Sequence, residues 1–321
     1  MKLIVAGTGY VGLVQAAVCS EYGHEVYAYD VDKDKIDAFS TGQAEEIEKF
    51  VLEPGLSNII RETYGKSLFF SNNLKQIIEG TDAIFLCLPT PSNLDGSTNL
   101  TYFDTAAAEI AEILARRKDK RRIVIVSKST VPICTARHLE GIMNKHGVEN
   151  FGVASNPEFL AEGTAVNQAR RPDRVVVGCD HEEDFKILRR VYSQFVHHVR
   201  IKYIETTPET AEAIKYVANT MLLTYISFWN GVGAKLGETI PNLNIDDLRL
   251  GVTSDDRIST WGSFSKGTMS RAVPTRHSGL VIGSNPSLVP FGWKCISCSS
   301  SWLTVTGTVP KSAGPNTMQR E

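Results

Sequence analysis

Two carboxylates stand four residues apart in the middle of the chain, at Glu158 and Glu162. They belong to the tract 156–166, which follows directly on the apolar residues 151–154. Open α/β sheets bind their ligands at the carboxyl ends of the strands, where such a loop would lie. The spacing therefore predicts an acidic ligand-binding loop, and a solvated surface loop is the alternative.

A lysine and an amide follow one helical turn apart, at Lys215 and Asn219. The i, i+4 spacing places both on one helix face, here among apolar neighbours. Such donors can stabilise a developing oxyanion, and each pre-organised donor contributes about 3 kcal/mol. The pair is a candidate for catalysis; a salt bridge between Glu212 and Lys215 is the structural alternative.

A glycine-rich turn formed by Gly7, Gly9 and Gly12 follows the apolar residues 3–6 and opens a helical pattern. Glycines permit a tight turn and close approach to a pyrophosphate, which the N–H groups of a helix N-terminus stabilise. Asp30 ends the second strand pattern, where a carboxylate accepts the ribose hydroxyls and disfavours the 2′-phosphate of NADP. The pattern predicts NAD binding; alone, it is also compatible with a tight turn.

Short apolar strands alternate with amphipathic helices over the first two hundred residues, which predicts an α/β fold with a doubly wound, Rossmann-like parallel sheet. The predicted strands are 3–6, 25–29, 67–70, 83–88, 123–126, 151–154, 174–177 and 199–201. The predicted helices include 13–22, 33–39, 102–115, 136–146 and 182–195.

A longer helical pattern begins at Pro208 and runs to about Glu238, and it favours a core helix and a dimer contact equally. Residues 259–321 are rich in Ser, Gly, Pro and Thr and show no sustained period. We therefore predict three parts: a nucleotide-binding domain at 1–200, an incomplete helical middle and dimerisation segment at 201–257, and an irregular, poorly ordered tail at 258–321.

Composition argues against several functions. The net charge of −2 gives no reason to expect nucleic acid as a partner. The basic cluster 116–122 fits a solvated connection between elements. Six scattered cysteines predict neither a disulfide framework nor a metal site, although Cys295 and Cys298 have a CxxC spacing. Residues 221–229 are too short an apolar stretch for a membrane span, and the strand-like start of the chain predicts no signal peptide, so we expect a cytoplasmic protein.

Read together, the Gly7–Gly12 turn, the 156–166 tract and the Lys215/Asn219 pair resemble the UDP-glucose/GDP-mannose dehydrogenases. The resemblance extends from Met1 to about Arg257. It implies NAD-dependent oxidation of the C6 alcohol of a nucleotide sugar to a carboxylate by a homodimer. The segment GVTSDDRI at 251–258 resembles the UDP-glucose branch, which implies UDP-glucose as substrate and UDP-glucuronate as product.

The resemblance implies three overlapping sets of site residues and no metal. The cofactor residues are Gly7, Gly9, Tyr10, Val11, Gly12, Asp30, Lys35, Thr90, Thr130 and Glu162. The catalytic residues are Thr130, Glu158, Lys215 and Asn219. The substrate residues are Glu158, Phe159, Leu160, Ala161, Lys215, Asn219 and Arg257, with the backbone of 159–161 holding the nucleotide sugar.

Structural alternatives accompany three of these assignments. Lys35 can be a solvated helix lysine, and Thr90 can belong to an ordinary turn. Ser129 or Thr130 can serve as a helix N-cap.

The family's nucleophilic cysteine motif, Gly-Gly-x-Cys-Phe-Pro-Lys-Asp, and its second nucleotide-binding domain do not follow Arg257. Residues 273–279, read one base later with suitable codons, spell Phe-Pro-Arg-Asp-Thr-Arg-Ala. This is close to the missing Phe-Pro-Lys-Asp stretch, so we interpret the tail as a reading-frame shift. The chain is then expected to lack turnover. The alternatives are a truncated NAD-binding protein, a GDP-mannose 6-dehydrogenase, and another hydroxyacid-type dehydrogenase.

Overall fold

The computed structural model describes residues 1–255 and residue 258, together with the backbone of two short strands near the carboxyl end. Strands β1 to β8 are Lys2–Ala6, Glu25–Tyr29, Leu68–Ser71, Ala83–Leu86, Ile123–Ser127, Phe151–Ser155, Arg174–Gly178 and Lys202–Thr206. They form one sheet in the order β3-β2-β1-β4-β5-β6-β7-β8. The first six strands have the Rossmann order, which places the switch in winding between β1 and β4.

The sheet is not parallel throughout. Strands β1 to β6 pair in parallel, and so do β7 and β8, but β6 and β7 meet antiparallel at Ser155 and Gly178. This corrects the expectation of a wholly parallel sheet. Antiparallel pairing brings the carboxyl ends of β6 and β7 together beside the 156–166 tract.

Strand side chains alternate between two apolar cores. Leu3 and Val5 pack on the face covered by the first helix, whereas Ile4 and Ala6 face the other layer with Phe103. Successive strand residues point to opposite faces, so a strand buried on both faces is apolar along its whole length. The doubly wound architecture predicted from the sequence is confirmed.

Thirteen α-helices lie within the described residues. In chain order, α1 to α13 are Tyr10–Glu21, Lys33–Phe39, Ala44–Glu48, Leu56–Thr63, Leu74–Ile77, Thr101–Ala115, Thr135–Lys145, Ala165–Arg170, Glu182–Val191, Ser193–Val196, Pro208–Phe228, Ala234–Thr239 and Ile245–Thr253. None of the helices in these residues is long and apolar enough to cross a membrane.

The segment before β8 differs from the sequence expectation. Strand β8 begins at Lys202, so the predicted strand at 199–201 is wrong, and Val199 is exposed. The ring Nδ1 of His198 accepts the backbone N–H groups of Arg200 and Ile201, at 3.2 and 3.3 Å, which turns the chain at this point. The helix predicted at 182–195 is also divided, into α9 and α10.

Helix α11 begins with two local signals. The Thr207 hydroxyl accepts the Thr210 N–H, and Pro208 occupies the first turn. A π-helical segment, Trp229–Gly233, joins α11 to α12. The predicted long helix is therefore helical throughout, but its hydrogen-bonding pattern changes from α to π and back.

Near the carboxyl end, two short strands, Gly292–Trp293 and Leu303–Thr304, pair antiparallel. The predicted substrate residue Arg257 lies outside the described residues, and so does the rest of the tail, for which we predicted poor order. The predicted domain boundaries at 200 and 257 stay predictions.

Candidate active site

The three glycines of the turn between β1 and α1 differ in the space that surrounds them. Gly7 has φ of +96°, and a Cβ there would lie 2.4 Å from the Cys87 carbonyl oxygen. A Cβ on Gly12 would lie 1.8 Å from the carbonyl oxygen of Gly7. A Cβ on Gly9 would meet nothing within 4 Å. The fold itself requires Gly7 and Gly12, whereas the space at Gly9 is available to a ligand.

Gly9 is the N-cap of α1, and no side chain caps this helix. Tyr10 and Val11 occupy its first turn, where N–H groups have no partner within the helix. These donors, with the helix dipole, favour a phosphate. The residues predicted for the pyrophosphate therefore form a cradle that fits it.

Asp30 closes the turn from the end of β2. One carboxylate oxygen, Oδ2, accepts the Thr8 N–H at 2.8 Å and the Thr8 hydroxyl at 2.7 Å, while Oδ1 accepts the Asp32 N–H at 3.0 Å. Burial alone would raise the pKa of Asp30, but these hydrogen bonds hold it below its ordinary value. Asp30 is thus a fixed anion at the place predicted for the ribose hydroxyls.

Lys35 contacts this anion. Its Nζ lies 3.8 Å from Oδ2 of both Asp30 and Asp32. The lysine is therefore more than a solvated helix residue, although its contact with a cofactor stays a prediction.

Threonine and serine hydroxyls connect the loops after β4 and β5. The Ser129 hydroxyl donates to the Leu88 carbonyl at 2.7 Å and accepts the Leu88 N–H at 2.8 Å. The Thr90 hydroxyl donates to the Thr130 carbonyl at 2.8 Å. Thr90 thus ties two loops together and is more than part of an ordinary turn.

The helix-cap alternative for Ser129 and Thr130 is wrong. Helix α7 begins at Thr135, and its N-cap is Cys134, which makes no side-chain cap. Residues 131–134, with a turn at 133–134, separate these hydroxyls from the helix, so neither residue is its N-cap.

Glu158 and Lys215 form a buried ion pair. The Lys215 Nζ donates to Glu158 Oε1 at 2.7 Å, and the side chains are 8% and 11% exposed, respectively. The second oxygen, Oε2, accepts the Leu160 N–H at 2.6 Å. The predicted acid and the predicted lysine therefore meet, although 57 residues separate them.

The alternative salt bridge between Glu212 and Lys215 is wrong. Glu212 turns away from Lys215, and its two oxygens accept the N–H groups of Cys134 at 2.6 Å and Ala136 at 2.8 Å. Burial raises the pKa of Glu212 to about 7, against the lowering effect of the two N–H donors. Sequence reasoning missed this link between α11 and α7, because helical spacing favours a local partner.

Asn219 and Glu162 are two further polar residues predicted for the site. Asn219 is half-buried one turn beyond Lys215, and Glu162 is exposed. Burial, and then the charges of Glu158 and Glu162, raise the pKa of Tyr10, which places both carboxylates near the glycine turn. Their separate roles stay predictions.

The backbone of 159–161 is already hydrogen-bonded. Leu160 N–H donates to Glu158, and Ala161 N–H donates to Gln168 Oε1 at 2.6 Å. The Leu160 carbonyl accepts the Tyr10 hydroxyl at 3.2 Å. Binding of a nucleotide sugar by these groups therefore stays a prediction, and it would have to replace or share these bonds.

Glu53 is a site residue that the sequence analysis missed. It is 4% exposed, and its oxygens accept the N–H groups of Gly163 at 2.7 Å and Ala165 at 3.2 Å. It fixes the loop that carries Glu158 from more than a hundred residues away. A glutamate before Pro54 and Gly55 was the available signal.

Two of the described cysteines lie close to this region but are not activated. Cys19 and Cys87 are buried, and burial raises the pKa of each thiol to about 12. A thiol that stays protonated is a poor nucleophile. Within residues 1–255 and 258, no cluster of three or more His, Cys, Asp or Glu side chains could hold a metal ion.

A protein-family model, the NAD binding domain of the UDP-glucose/GDP-mannose dehydrogenase family, matches residues 1–196. The central domain of the same family matches residues 209–268. The chain therefore belongs to the UDP-glucose/GDP-mannose dehydrogenase family of NAD-dependent oxidoreductases. NAD is the dinucleotide for which its first domain is built.

Individual relatives agree with this assignment. A UDP-glucose 6-dehydrogenase from Pseudomonas aeruginosa is 34% identical over 267 residues, which cover 81% of this chain and 56% of the relative. The structure of a UDP-glucose dehydrogenase from Pyrobaculum islandicum has a TM-score of 0.73 at 32% identity, covering 81% of this chain and 58% of that one. A GDP-mannose dehydrogenase from Pseudomonas aeruginosa has a TM-score of 0.72 at 28% identity, covering 80% and 58%. The chain spans about half the length of the curated relatives it matches.

Proposed function

We propose that this chain binds NAD and holds UDP-glucose with its C6 alcohol toward the cofactor, but does not complete oxidation to the acid. The buried pair of Glu158 and Lys215 carries the proposal. It lies next to Leu160, whose carbonyl contacts Tyr10 in the glycine turn. A base and a cation therefore stand beside the place where the cofactor is expected.

The residues suit the removal of a proton from an alcohol. Bound NAD supplies the hydride acceptor. Glu158 accepts a proton from a hydroxyl or a water, and Thr130 helps to position that water. Lys215 donates to the oxygen on which negative charge develops, and Asn219 adds a second donor from the next turn of α11.

Oxidation beyond the aldehyde requires a thiolate in this family. Cys19 and Cys87 are too deeply buried for this role, and the motif with the nucleophilic cysteine is missing after Arg257. We therefore expect NAD binding without turnover to the acid.

Calorimetry and an NADH fluorescence assay test the proposal on the full chain. NAD should bind, and neither UDP-glucose nor GDP-mannose should yield the two NADH per sugar that oxidation to the acid requires. Production of UDP-glucuronate would contradict the proposed inactivity, and failure to bind NAD would contradict the proposal as a whole. A full-length active relative is the positive control.

UDP-glucose, as opposed to GDP-mannose, is favoured by the 251–258 segment and by the names of most curated relatives at about 35% identity. In the presence of NAD, UDP-glucose should bind more tightly than GDP-mannose. Lys215→Met should weaken UDP-glucose binding and leave NAD affinity unchanged. Lys202→Met, at an exposed position, is the matched control. An equal loss of UDP-glucose affinity in both variants would show that Lys215 has no specific role in binding the sugar.

A homodimer is the proposed assembly. Val217, Met221 and Phe228 are 54%, 58% and 50% exposed, and their spacing places them on one face of α11. A second copy would cover this face. Light scattering should detect a dimer that Met221→Glu dissociates and that Val199→Glu, at another exposed apolar position, leaves intact. A monomeric parent chain would contradict the assembly.

A further inference from the structure

A cavity of about 290 Å³ lies between α1 and the segment that joins β6 to β7. Its lining includes residues 156–160 and 171–175 but none of the glycine turn at 7–12. It far exceeds the ~10–15 Å³ that one water requires and approaches the lower limit of ~300 Å³ for ligand pockets. The cavity is thus separate from the NAD cradle but shares a wall with the loop that carries Glu158.

A buried ammonium lines the inner part of this cavity. Lys128 is 6% exposed, and its Nζ donates to Asn156 Oδ1 at 2.9 Å and lies 3.5 Å from the Asn156 carbonyl. An ammonium carries three protons, so these two oxygens leave at least one for another acceptor. In the part of the chain that the structure describes, no carboxylate lies within salt-bridge distance of Lys128. A buried charge without a counter-ion is costly, and burial accordingly lowers the pKa of Lys128.

The partner of Lys128 is held in place by other buried groups. Asn156 Oδ1 also accepts the Tyr192 hydroxyl at 2.5 Å, and Asn156 Nδ2 donates to the Val176 carbonyl at 2.7 Å. The Tyr192 hydroxyl in turn accepts from Gln15 Nε2 at 3.3 Å. These bonds fix Asn156, so the remaining donor capacity of Lys128 is directed by a rigid network.

The outer lining is also cationic. Arg171 and Arg174 line the cavity together with one exposed carboxylate, Asp173. Glu158 also belongs to the lining, but Lys215 neutralises its charge. Three cations therefore oppose one uncompensated carboxylate, which favours an anionic occupant.

Aromatic rings supply the apolar walls. Tyr22, Phe159, Tyr192 and Phe195 all line the cavity, and the guanidinium of Arg174 lies 3.9 Å from the ring centre of Phe159. Flat rings and an arginine plane suit a flat apolar group attached to the anion.

A hydrogen bond connects this cavity to the NAD cradle. Leu160 is part of the cavity wall, and its carbonyl accepts the hydroxyl of Tyr10, in the first turn of α1. Any ligand that displaces or fixes 158–160 would act on that turn through this contact.

We propose that the cavity binds a small organic anion, a phosphate monoester or carboxylate on a flat apolar group, and that its occupancy changes the affinity for NAD. The anion pairs with Lys128 and the two arginines. The two sites are then coupled reciprocally, so each ligand changes the affinity for the other by the same factor.

Calorimetry and thermal unfolding of the full chain test the site with three probes: phenyl phosphate, benzoate and neutral benzyl alcohol. Phenyl phosphate or benzoate should bind and raise Tm, whereas benzyl alcohol should not. The stronger of the two anions identifies the anionic group. Binding of all three alike, or of none, would overturn the anion site.

Two variants with matched controls locate the probe. Ala169→Leu fills the cavity from its wall and should weaken anion binding at least about ten-fold; Asn167→Leu, at an exposed position on the same helix, should leave it unchanged. Arg171→Gln should weaken binding, and Arg116→Gln, remote from the lining, should not. If Ala169→Leu binds the anion normally while NAD displaces it, the anion occupies the NAD cradle and the cavity proposal is wrong.

Coupling is measured as the Kd of NAD with and without saturating anion. A changed Kd in the parent chain that becomes unchanged in Ala169→Leu supports the coupling, and an unchanged Kd in both overturns it. The anion titration does not require NAD. A chain that binds the anion but not NAD would therefore contradict the proposed function without contradicting the cavity site.

Discussion

The sheet half of the molecule, β1 to β8 with its covering helices, buries most of its apolar side chains within itself, whereas the helical segment α11 to α13 leaves many of its own exposed. All five residues of β5 are buried. Helix α12 has no buried residue, and α13 has one, Thr253. Leu250 on α13 is 66% exposed.

This difference follows from how each region is covered. A doubly wound sheet is closed on both faces by helices that lie between its own strands in sequence. The helical segment has no second layer in the described residues, so its apolar face requires another polypeptide surface. The sheet half is accordingly expected to control stability, and the helical segment to control assembly.

The largest effect should separate the two regions directly. Phe85 is fully buried in β4, and Phe228 is 50% exposed on α11. Phe85→Ala should cost about 3–5 kcal/mol in the free energy of unfolding, because it leaves a cavity in a packed core. Phe228→Ala should cost under about 1 kcal/mol when measured at concentrations below dimer formation. Equal losses of unfolding free energy for the two variants in chemical denaturation would contradict the difference between the two regions.

The link between the regions should depend on pH. Glu212 on α11 accepts two N–H groups at the start of α7, and burial raises its pKa from 4.5 to about 7. The folded protein therefore holds a proton that the unfolded chain releases, and stability falls as pH rises from about 4.5 through 7. The loss attributable to this group is on the order of 3 kcal/mol.

Glu212→Gln should flatten this part of the stability profile when unfolding free energies are compared across the same pH range. Glu209→Gln is the comparison on the same helix. The Glu209 side chain is 32% exposed and pairs with Arg137, and its charge is a smaller cause of the raised pKa of Glu212 than burial, so this variant should reduce the slope only slightly. An identical pH slope in the parent chain and in Glu212→Gln would exclude Glu212 as the titrating link.

Glu53 tests whether the active-site loop is held by the sheet half alone. Glu53→Ala leaves the N–H groups of Gly163 and Ala165 without their acceptor, which should cost about 2 kcal/mol. Hydrogen exchange should increase locally at 163–165. Glu45→Ala, at an exposed glutamate, should change neither quantity; a loop unaffected by loss of Glu53 would be held by other contacts.

The smallest effect concerns cofactor choice within the sheet half. Asp30→Asn keeps an acceptor for Thr8 but removes the charge that disfavours a 2′-phosphate. The preference for NAD over NADP should fall about ten-fold, as measured by calorimetry with both dinucleotides. Asp32→Asn should keep the preference. An unchanged ratio in Asp30→Asn would assign the discrimination to another residue.

Much of the fold could be predicted because its signals are local. Apolar runs predicted seven of the eight strands within two residues of their observed bounds, and the glycine turn was placed correctly between β1 and α1. The failure at 199–201 has a local cause as well, since a histidine ring accepts the backbone N–H groups there. No hydrophobic pattern reports a side chain that competes for backbone hydrogen bonds.

The site could be predicted by residue type but not by partner. Sequence identified Glu158 and Lys215 separately and assigned Lys215 a local alternative, Glu212. In the structure, Lys215 pairs with Glu158 while Glu212 holds α7. Glu53 and Lys128 were not predicted to contribute, since their importance depends on burial and on groups distant in the chain.

By itself, the sequence determined the order of the elements, the glycine cradle, the acidic end of β2 and the presence of a long helix after the sheet. These depend on residue type, on periods of 2 and 3.6, and on the conformational freedom of glycine, all of which act over a few residues. Tertiary structure alone decided the antiparallel junction of β6 with β7, the pairing of Glu158 with Lys215, and the cavity around Lys128. Burial and hydrogen-bond partners depend on which segments the fold brings together. Short-range patterns carry no information about which residues distant in sequence will be neighbours in space.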